Sequence, residues 1–285
     1  MPLSIERTNH INQLLRPFHE ANAFYREVFS AVQYMDSYDE GERRDASLLV
    51  IGQTPIEIFA PRDDLSLLGS SLAKYGPSFH SFEFQVDDLE RSRAIFEELG
   101  VRITTYRENS FFMTHPKDGH GILFEICPFE MNNDPRLIPG WSDAPWRDGP
   151  LGLDRLNAMG IAVRDVDAVS SFVRTLTGSE EVYRRKLSGV GTAVGIWAQD
   201  LMIELVEPDG DASPVAAFID RYGPRIRSLN FRVNDVSAVR DHFTEHGLAT
   251  AAGDTSDMLA LDPQDNFGAL YQFSEARLPD DPRDG

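Results

Sequence analysis

Apolar residues along the chain fall into two alternating rhythms. Runs of period 2, which line one face of a strand, alternate with single stretches of period 3.6, which line one face of a helix. Ser4 to Leu15 has the strand rhythm, and Phe18, Ala21, Phe24, Tyr25 and Phe29 follow at helical spacing behind Pro17. Val32 to Met35, Ser47 to Ile51 and Pro55 to Phe59 are three further strands, separated by the turn formers Asp-Glu-Gly and Gly-Gln-Thr-Pro. An amphipathic segment, Leu65 to Tyr75, leads to Gly76-Pro77, and the order starts over. Ser78 to Val86 is a strand, Leu89 to Leu99 a helix stopped by Gly100, and Val101 to Tyr106, Ser110 to Thr114 and Ile122 to Cys127 are strands again. This is an α+β module, βαβββ, used twice.

Phe129 to Gly152 breaks the rhythm with prolines, two tryptophans and acidic residues, and reads as a linker. The module then returns from Leu153, with a helix over Val166 to Leu176, and a fourth copy runs from Arg225 to Ser274. Glu275 to Gly285 is mostly charged, Pro or Gly and is expected to fray. The chain therefore divides into domain 1–128, linker 129–152, domain 153–274 and tail 275–285. Tyr75-Gly76-Pro77, Ser81, Phe84, Val86 and Asp88 recur as Tyr222-Gly223-Pro224, Ser228, Phe231, Val233 and Asp235, a shift of 147 residues (222 minus 75).

Composition narrows the function. With 285 residues, 41% of them hydrophobic, a substantial core can form. A formal charge of −19 repels phosphate backbones and anionic membranes, so neither nucleic acid nor membrane is an expected partner. The one cysteine, Cys127, rules out an internal disulfide and sits in an apolar strand as a structural thiol. The N-terminus has no basic flank leading into an apolar core, and a soluble, cytoplasmic protein is expected.

Candidate chemistry lies in the first half. His10, Glu57, His80 and Glu125 are four potential metal ligands at matched spacing, 47 residues within the first pair and 45 within the second. The 147-residue shift carries Glu57 onto Glu204, Glu125 onto Gln272 and His80 onto Arg227, while His10 falls on Asn157, or on Ala158 with one gap. The second half repeats the architecture without most of the ligands. His242-Phe243-Thr244-Glu245-His246 fits a zinc-protease pattern, but Val239 and Phe243 turn that helix's apolar face inward and leave both histidines outside.

Four βαβββ modules resemble the vicinal oxygen chelate superfamily of glyoxalase I, methylmalonyl-CoA epimerase, extradiol dioxygenases and bleomycin-resistance proteins. His10-Ile11-Asn12, Phe24-Tyr25, Val86-Asp87-Asp88-Leu89, Gly160 to Asp167 and the Glu-plus-Pro strand ends at Glu57, Glu125 and Glu204 carry the resemblance over nearly the whole chain. It implies two cupped-sheet, glyoxalase-like domains, the first holding one divalent ion (Fe, Mn, Co, Ni or Zn) on His10, Glu57, His80 and Glu125. The family's second histidine precedes the strand's closing valine by five residues, whereas His80 precedes Val86 by six, leaving Ser81 at the expected place. A one-residue slip turns a side chain to the other face, so a β-bulge between Phe79 and Ser81 is required if His80 is to face the cleft.

The implied activity is a metal-dependent epimerase or isomerase removing a proton next to a carbonyl, acting on a small molecule with two vicinal oxygens such as a hydroxy-ketone. The valiolone-type epimerases of cyclic polyol ketones are one such group. Glu57 or Glu125 is the expected base, with Glu83 a second candidate because it shares a face with Ser81 and Gln85. Two alternatives stand beside this: an Fe(II) extradiol dioxygenase using His120 for proton handling, and a metal-free binding or resistance protein. The candidate assembly is a homodimer.

Overall fold

Strand β1 (Ile5–Leu14) explains the architecture of the first half. From Thr8 onward it is buried on both faces: Ile11 enters the main hydrophobic core, while His10 and Asn12 face a polar cleft. In the computed structural model, which describes residues 1–284, β1 pairs in parallel with β4 (Thr54–Pro61) and antiparallel with β5 (Ser78–Val86). The first sheet is completed by β2 (Val32–Asp39), β3 (Arg44–Ile51), β6 (Ile103–Arg107), β7 (Phe111–Thr114) and β8 (Phe124–Cys127). Its order is β2-β3-β4-β1-β5-β8-β7-β6, so the first and last strands of each module sit at its centre.

The second sheet repeats this order with β9 (Leu153–Ala162), β10 (Glu181–Leu187), β11 (Gly191–Ala198), β12 (Leu201–Pro208), β13 (Arg225–Val233), β14 (Thr250–Ala252), β15 (Leu259–Leu261) and β16 (Leu270–Ser274). The helices are α1 (Phe18–Val28), α2 (Leu67–Tyr75), α3 (Leu89–Glu98), α4 (Ala144–Arg147), α5 (Val166–Thr177), α6 (Pro214–Tyr222) and α7 (Val236–Glu245). Asp88, Asp165 and Asp235 cap α3, α5 and α7 by accepting first-turn N–H groups. No helix among the described residues is long and apolar enough to cross a membrane.

Aromatic side chains join the two halves. Phe29 packs against Phe243 and Tyr271 with ring centroids 6.0 and 5.4 Å away, and Phe79 stacks on Tyr271. One continuous hydrophobic core contains residues from both sheets. Gln13 adds a buried polar tie, donating to the carbonyls of Asn266 and Phe267 and accepting from Tyr25.

Three expectations change. Strand β2 runs on to Asp39, beyond Met35, because it is an exposed edge strand with no apolar alternation to mark its end. His242 of the zinc-protease-like pattern is buried, its Nε2 2.9 Å from the Val28 carbonyl across the interface between halves. The tail does not fray: Leu278 and Asp281 are buried, and Arg283 donates to the Leu156 and Asn157 carbonyls at 2.7 and 2.9 Å. The last residue, Gly285, lies outside the described residues.

Because the core is shared, truncating it in one half should weaken both. Phe29→Ala is expected to cost about 3–5 kcal/mol, seen in urea as a single earlier transition. Separate unfolding of the two halves would contradict a common core.

Candidate metal and active site

The order β4-β1-β5-β8 turns residues far apart in sequence into neighbours across the sheet. His10 pairs in register with Glu83, Glu83 with Glu125, and Asn12 with Glu57, so each of the four central strands gives at least one ionisable side chain to one cup. Among the described residues, one set of three potential ligands has atoms all within 4.8 Å of one another: His10, Glu83 and Glu125, every one buried. Glu57 approaches from the other side, its Oε2 3.5 Å from His10 Nε2. The cup encloses about 190 Å³, with an apolar wall that includes Met35, Leu48, Phe59, Phe111 and Met113.

Buried polar partners hold these carboxylates. Glu125 Oε1 accepts from Ser81 Oγ at 2.5 Å and from Asn12 Nδ2 at 2.7 Å; Glu83 Oε1 accepts from Asn9 Nδ2 at 3.1 Å. Arg44 Nη1 donates to Glu57 Oε1 at 3.1 Å, while its Nε is paired with Glu42. Burial, reinforced by the neighbouring Glu83 charge, pushes the Glu125 carboxyl up to about 7. Burial likewise pushes the Cys127 thiol up, as suits a structural cysteine.

His10 tests whether a cation fits. Both of its ring nitrogens are buried and neither makes a hydrogen bond, although Glu83 Oε1 lies 3.9 Å from one and Glu57 the 3.5 Å given above from the other. A buried imidazole without partners, beside three crowded carboxylates, is costly. A divalent cation accepts the imidazole lone pair and neutralises the carboxylates together, so the donor set fits one.

The bulge expected near Phe79 to Ser81 is present: pairing passes from Asn12–Ser81 to Gln13–Phe79 and leaves His80 without a partner on β1. His80 therefore lines the cup, next to Ser81, whose buried hydroxyl reaches the cup's Glu125. Expected as a ligand with His10, Glu57 and Glu125, His80 lies outside the close group of His10, Glu83 and Glu125, its Nδ1 2.9 Å from Ser81 Oγ and its ring edge-on to Phe59. Burial, with help from the Arg225 and Arg44 charges, pushes His80 down to about 4. His120, expected to handle protons, does not line the cup. It is exposed in the turn before β8, its ring 5.1 Å from that of Phe172 on α5.

The equivalent cup of the second half is filled. Ala158, opposite Asn230, takes the place of His10, so the one-gap alignment is the correct one. Glu204 is tied to Tyr183 Oη at 2.7 Å and Arg185 at 2.8 Å, and Arg227 forms a two-pronged pair with Asp254, which also accepts from Gln272. The remaining space is about 60 Å³. A larger cavity, about 320 Å³, opens at the seam between halves, but its guanidiniums are already paired: Arg136 with Asp134, Arg283 with Asp281 and Arg155 with Asp284.

Sequence reasoning missed two devices. One is the set of amide and hydroxyl partners, Asn9, Asn12 and Ser81. The other is a repeated arm: Asp134-Pro135-Arg136 recurs as Asp281-Pro282-Arg283 at the same shift of 147 (281 minus 134), inside the segments read as linker and tail. Arg136 donates to the Thr8 and Asn9 carbonyls just before His10, as Arg283 does to Leu156 and Asn157 before Ala158. Upstream of each arm, Phe129 and Met131 wall the first cup, and Ala276 and Leu278 the second.

No protein-family model matches the chain. The ethylmalonyl-CoA/methylmalonyl-CoA epimerase of Cereibacter sphaeroides is 29% identical over 132 residues, 43% of this chain and 98% of that protein. A mutant of 4-hydroxymandelate synthase from Streptomyces coelicolor superposes with a TM-score of 0.73 at 14% identity, covering 96% of this chain and 92% of that one. A fusion of a xylose isomerase-like TIM barrel with a 4-hydroxyphenylpyruvate dioxygenase gives 0.61 at 11% identity, over 96% of this chain and 49% of that one.

The raised Glu125 pKa sets a pH dependence. A carboxyl whose folded pKa lies above its ordinary 4.5 stabilises the fold fully below that value and loses the contribution as pH rises through about 7. Protein kept metal-free by a chelator should therefore lose stability, on the order of 3 kcal/mol, between these pH values. Glu125→Gln should flatten the profile, and an unchanged slope in that variant would place the titration elsewhere.

Proposed function

For a chain with the vicinal oxygen chelate fold, we propose that the first cup is the active site of a divalent-metal-dependent isomerase, an epimerase that removes a proton next to a carbonyl. The observation that carries this reading is His10, buried with two unpartnered nitrogens among Glu57, Glu83 and Glu125. The likeness to an ethylmalonyl-CoA/methylmalonyl-CoA epimerase supports the reaction class.

His10, Glu83 and Glu125 would hold the ion, with Glu57 within reach as a fourth ligand. When bound, the dication supplies Lewis-acid polarisation of a substrate carbonyl. Ser81 and Asn12 orient Glu125, and Asn9 orients Glu83, so that neither carboxylate must reorganise when substrate enters. Glu57 is the proton acceptor: Arg44 holds its Oε1, and Oε2 takes the proton from the carbon beside the carbonyl. The apolar wall excludes water and favours an apolar substituent beside the two oxygens over a polyol ring.

An Fe(II) dioxygenase would use two imidazoles and a carboxylate, whereas the three-residue group holds one imidazole, and His120 is outside the cup. A metal-free binding protein leaves the crowded carboxylates and bare imidazole without a purpose.

The protein should carry about one divalent ion per chain, measured by elemental analysis. His10→Ala and Glu125→Ala should each lose it, and Glu204→Ala should keep it; metal retained in both first-cup variants would overturn the reading. With methylmalonyl-CoA as probe, deuterium from solvent should enter the substrate under anaerobic conditions, whereas oxygen uptake with a catechol would favour the dioxygenase.

A further inference from the structure

His80 is the one ionisable group of the cup left without a task. We propose that its Nε2 is a second proton-transfer group, a bare nitrogen facing the substrate, and that Ser81 fixes it in that form. The inference rests on the metal-centred reading above, because a Glu125 carboxylate holding a cation is ionised and can only accept hydrogen bonds.

Hydrogen-bond accounting gives the tautomer. Ser81 Oγ has one proton to donate and sends it to Glu125 Oε1 at 2.5 Å; it also accepts from Asn12 Nδ2 at 2.8 Å. Its contact of 2.9 Å with His80 Nδ1 must then be a hydrogen bond donated by Nδ1–H. A neutral imidazole protonated at Nδ1 has an unprotonated Nε2. That nitrogen has no hydrogen-bond partner among the described residues and is not sealed from the cup, which His80 lines beside Phe59. Partial desolvation, with the Arg225 and Arg44 charges, favours the neutral free ring, as a base must be before it acts.

The bulge is what makes this possible. It places two successive residues, His80 and Ser81, on the cup side between Phe79 and Phe82 of the core, so that one orients the other. In the step itself, the substrate C–H bond breaks, its electron pair stays on carbon and spreads to the carbonyl oxygen, and the proton moves to Nε2. The imidazolium keeps its Nδ1–H bond to Ser81 and returns the proton in the reverse step. For inversion at carbon the two groups hold one proton between them: when Nε2 is bare, Glu57 carries on Oε2 the proton it delivers to the opposite face, and in the reverse direction the Glu57 carboxylate accepts while the His80 imidazolium delivers.

Nitrogen-15 NMR of the full chain, with His80 assigned by His80→Gln, tests this without a substrate. With Zn²⁺ bound, the His80 signals should report Nδ1–H and a bare Nε2, unmoved by the metal, while the His10 signals shift. A protonated Nε2, or a shift of His80 to metal-bound values, would overturn the proposal; His10 unmoved by Zn²⁺ would instead overturn the metal-centred reading. His80→Gln should keep its metal yet slow deuterium entry into methylmalonyl-CoA by roughly 10²–10⁴-fold, and loss of metal or an unchanged rate would count against the role. Ser81→Ala should release the tautomer, visible as mixed Nδ1 and Nε2 protonation.

Discussion

The first half is organised around an electrostatic imbalance. Glu57, Glu83 and Glu125 project from three central strands into one small cup, with Arg44, already shared with Glu42, as the nearby cation, and with His10 on the fourth central strand offering lone pairs that nothing accepts. Desolvation and like-charge repulsion oppose such an arrangement. Rigid support keeps it in place: Asn9, Asn12 and Ser81 anchor the side chains, and the packed aromatic core behind the sheet anchors the strands. A site strained toward binding a cation is the expected product of that combination.

The two halves provide an internal comparison. Both keep the strand order, the bulge on the fifth strand of the sheet and the Asp-Pro-Arg arm gripping carbonyls of the first. Where the first cup has His10, the second has Ala158 covered by Leu278; where the first leaves carboxylates crowded, the second pairs Glu204 with Arg185 and Asp254 with Arg227. The same scaffold thus supports a satisfied, nearly filled cup and an unsatisfied, open one. The difference lies in a few side chains, since backbone and arm are shared.

Much of this was legible in the sequence. Period-2 runs, the single stretches of helical spacing between them and the recurrence of Tyr-Gly-Pro located the modules, because those signals are local. The extra residue between His80 and Val86 marked where a bulge was needed for His80 to face the cup, and the shift in pairing falls there. The membership of the site was harder to read: alternation placed Glu83 on the cup face, but which of Glu57, Glu83 and His80 stands closest to His10 depends on register across strands that no local pattern encodes. The arms stayed hidden because their residues are polar and proline-rich, the usual marks of linkers, although the Asp-Pro-Arg repeat was present to be found. The edge of β2 failed for the complementary reason, having no buried face to mark it.

The claim on which the rest depends is that a single cation belongs between the four central strands of the first sheet. Crystals soaked in Mn²⁺ and measured at its absorption edge would test it most directly. The account requires one anomalous peak per chain, at roughly 2.0–2.3 Å from a His10 nitrogen and from oxygens of Glu83 and Glu125, with nothing at Glu204. A peak at another place, or one ligated by His80 in place of Glu83, would contradict it.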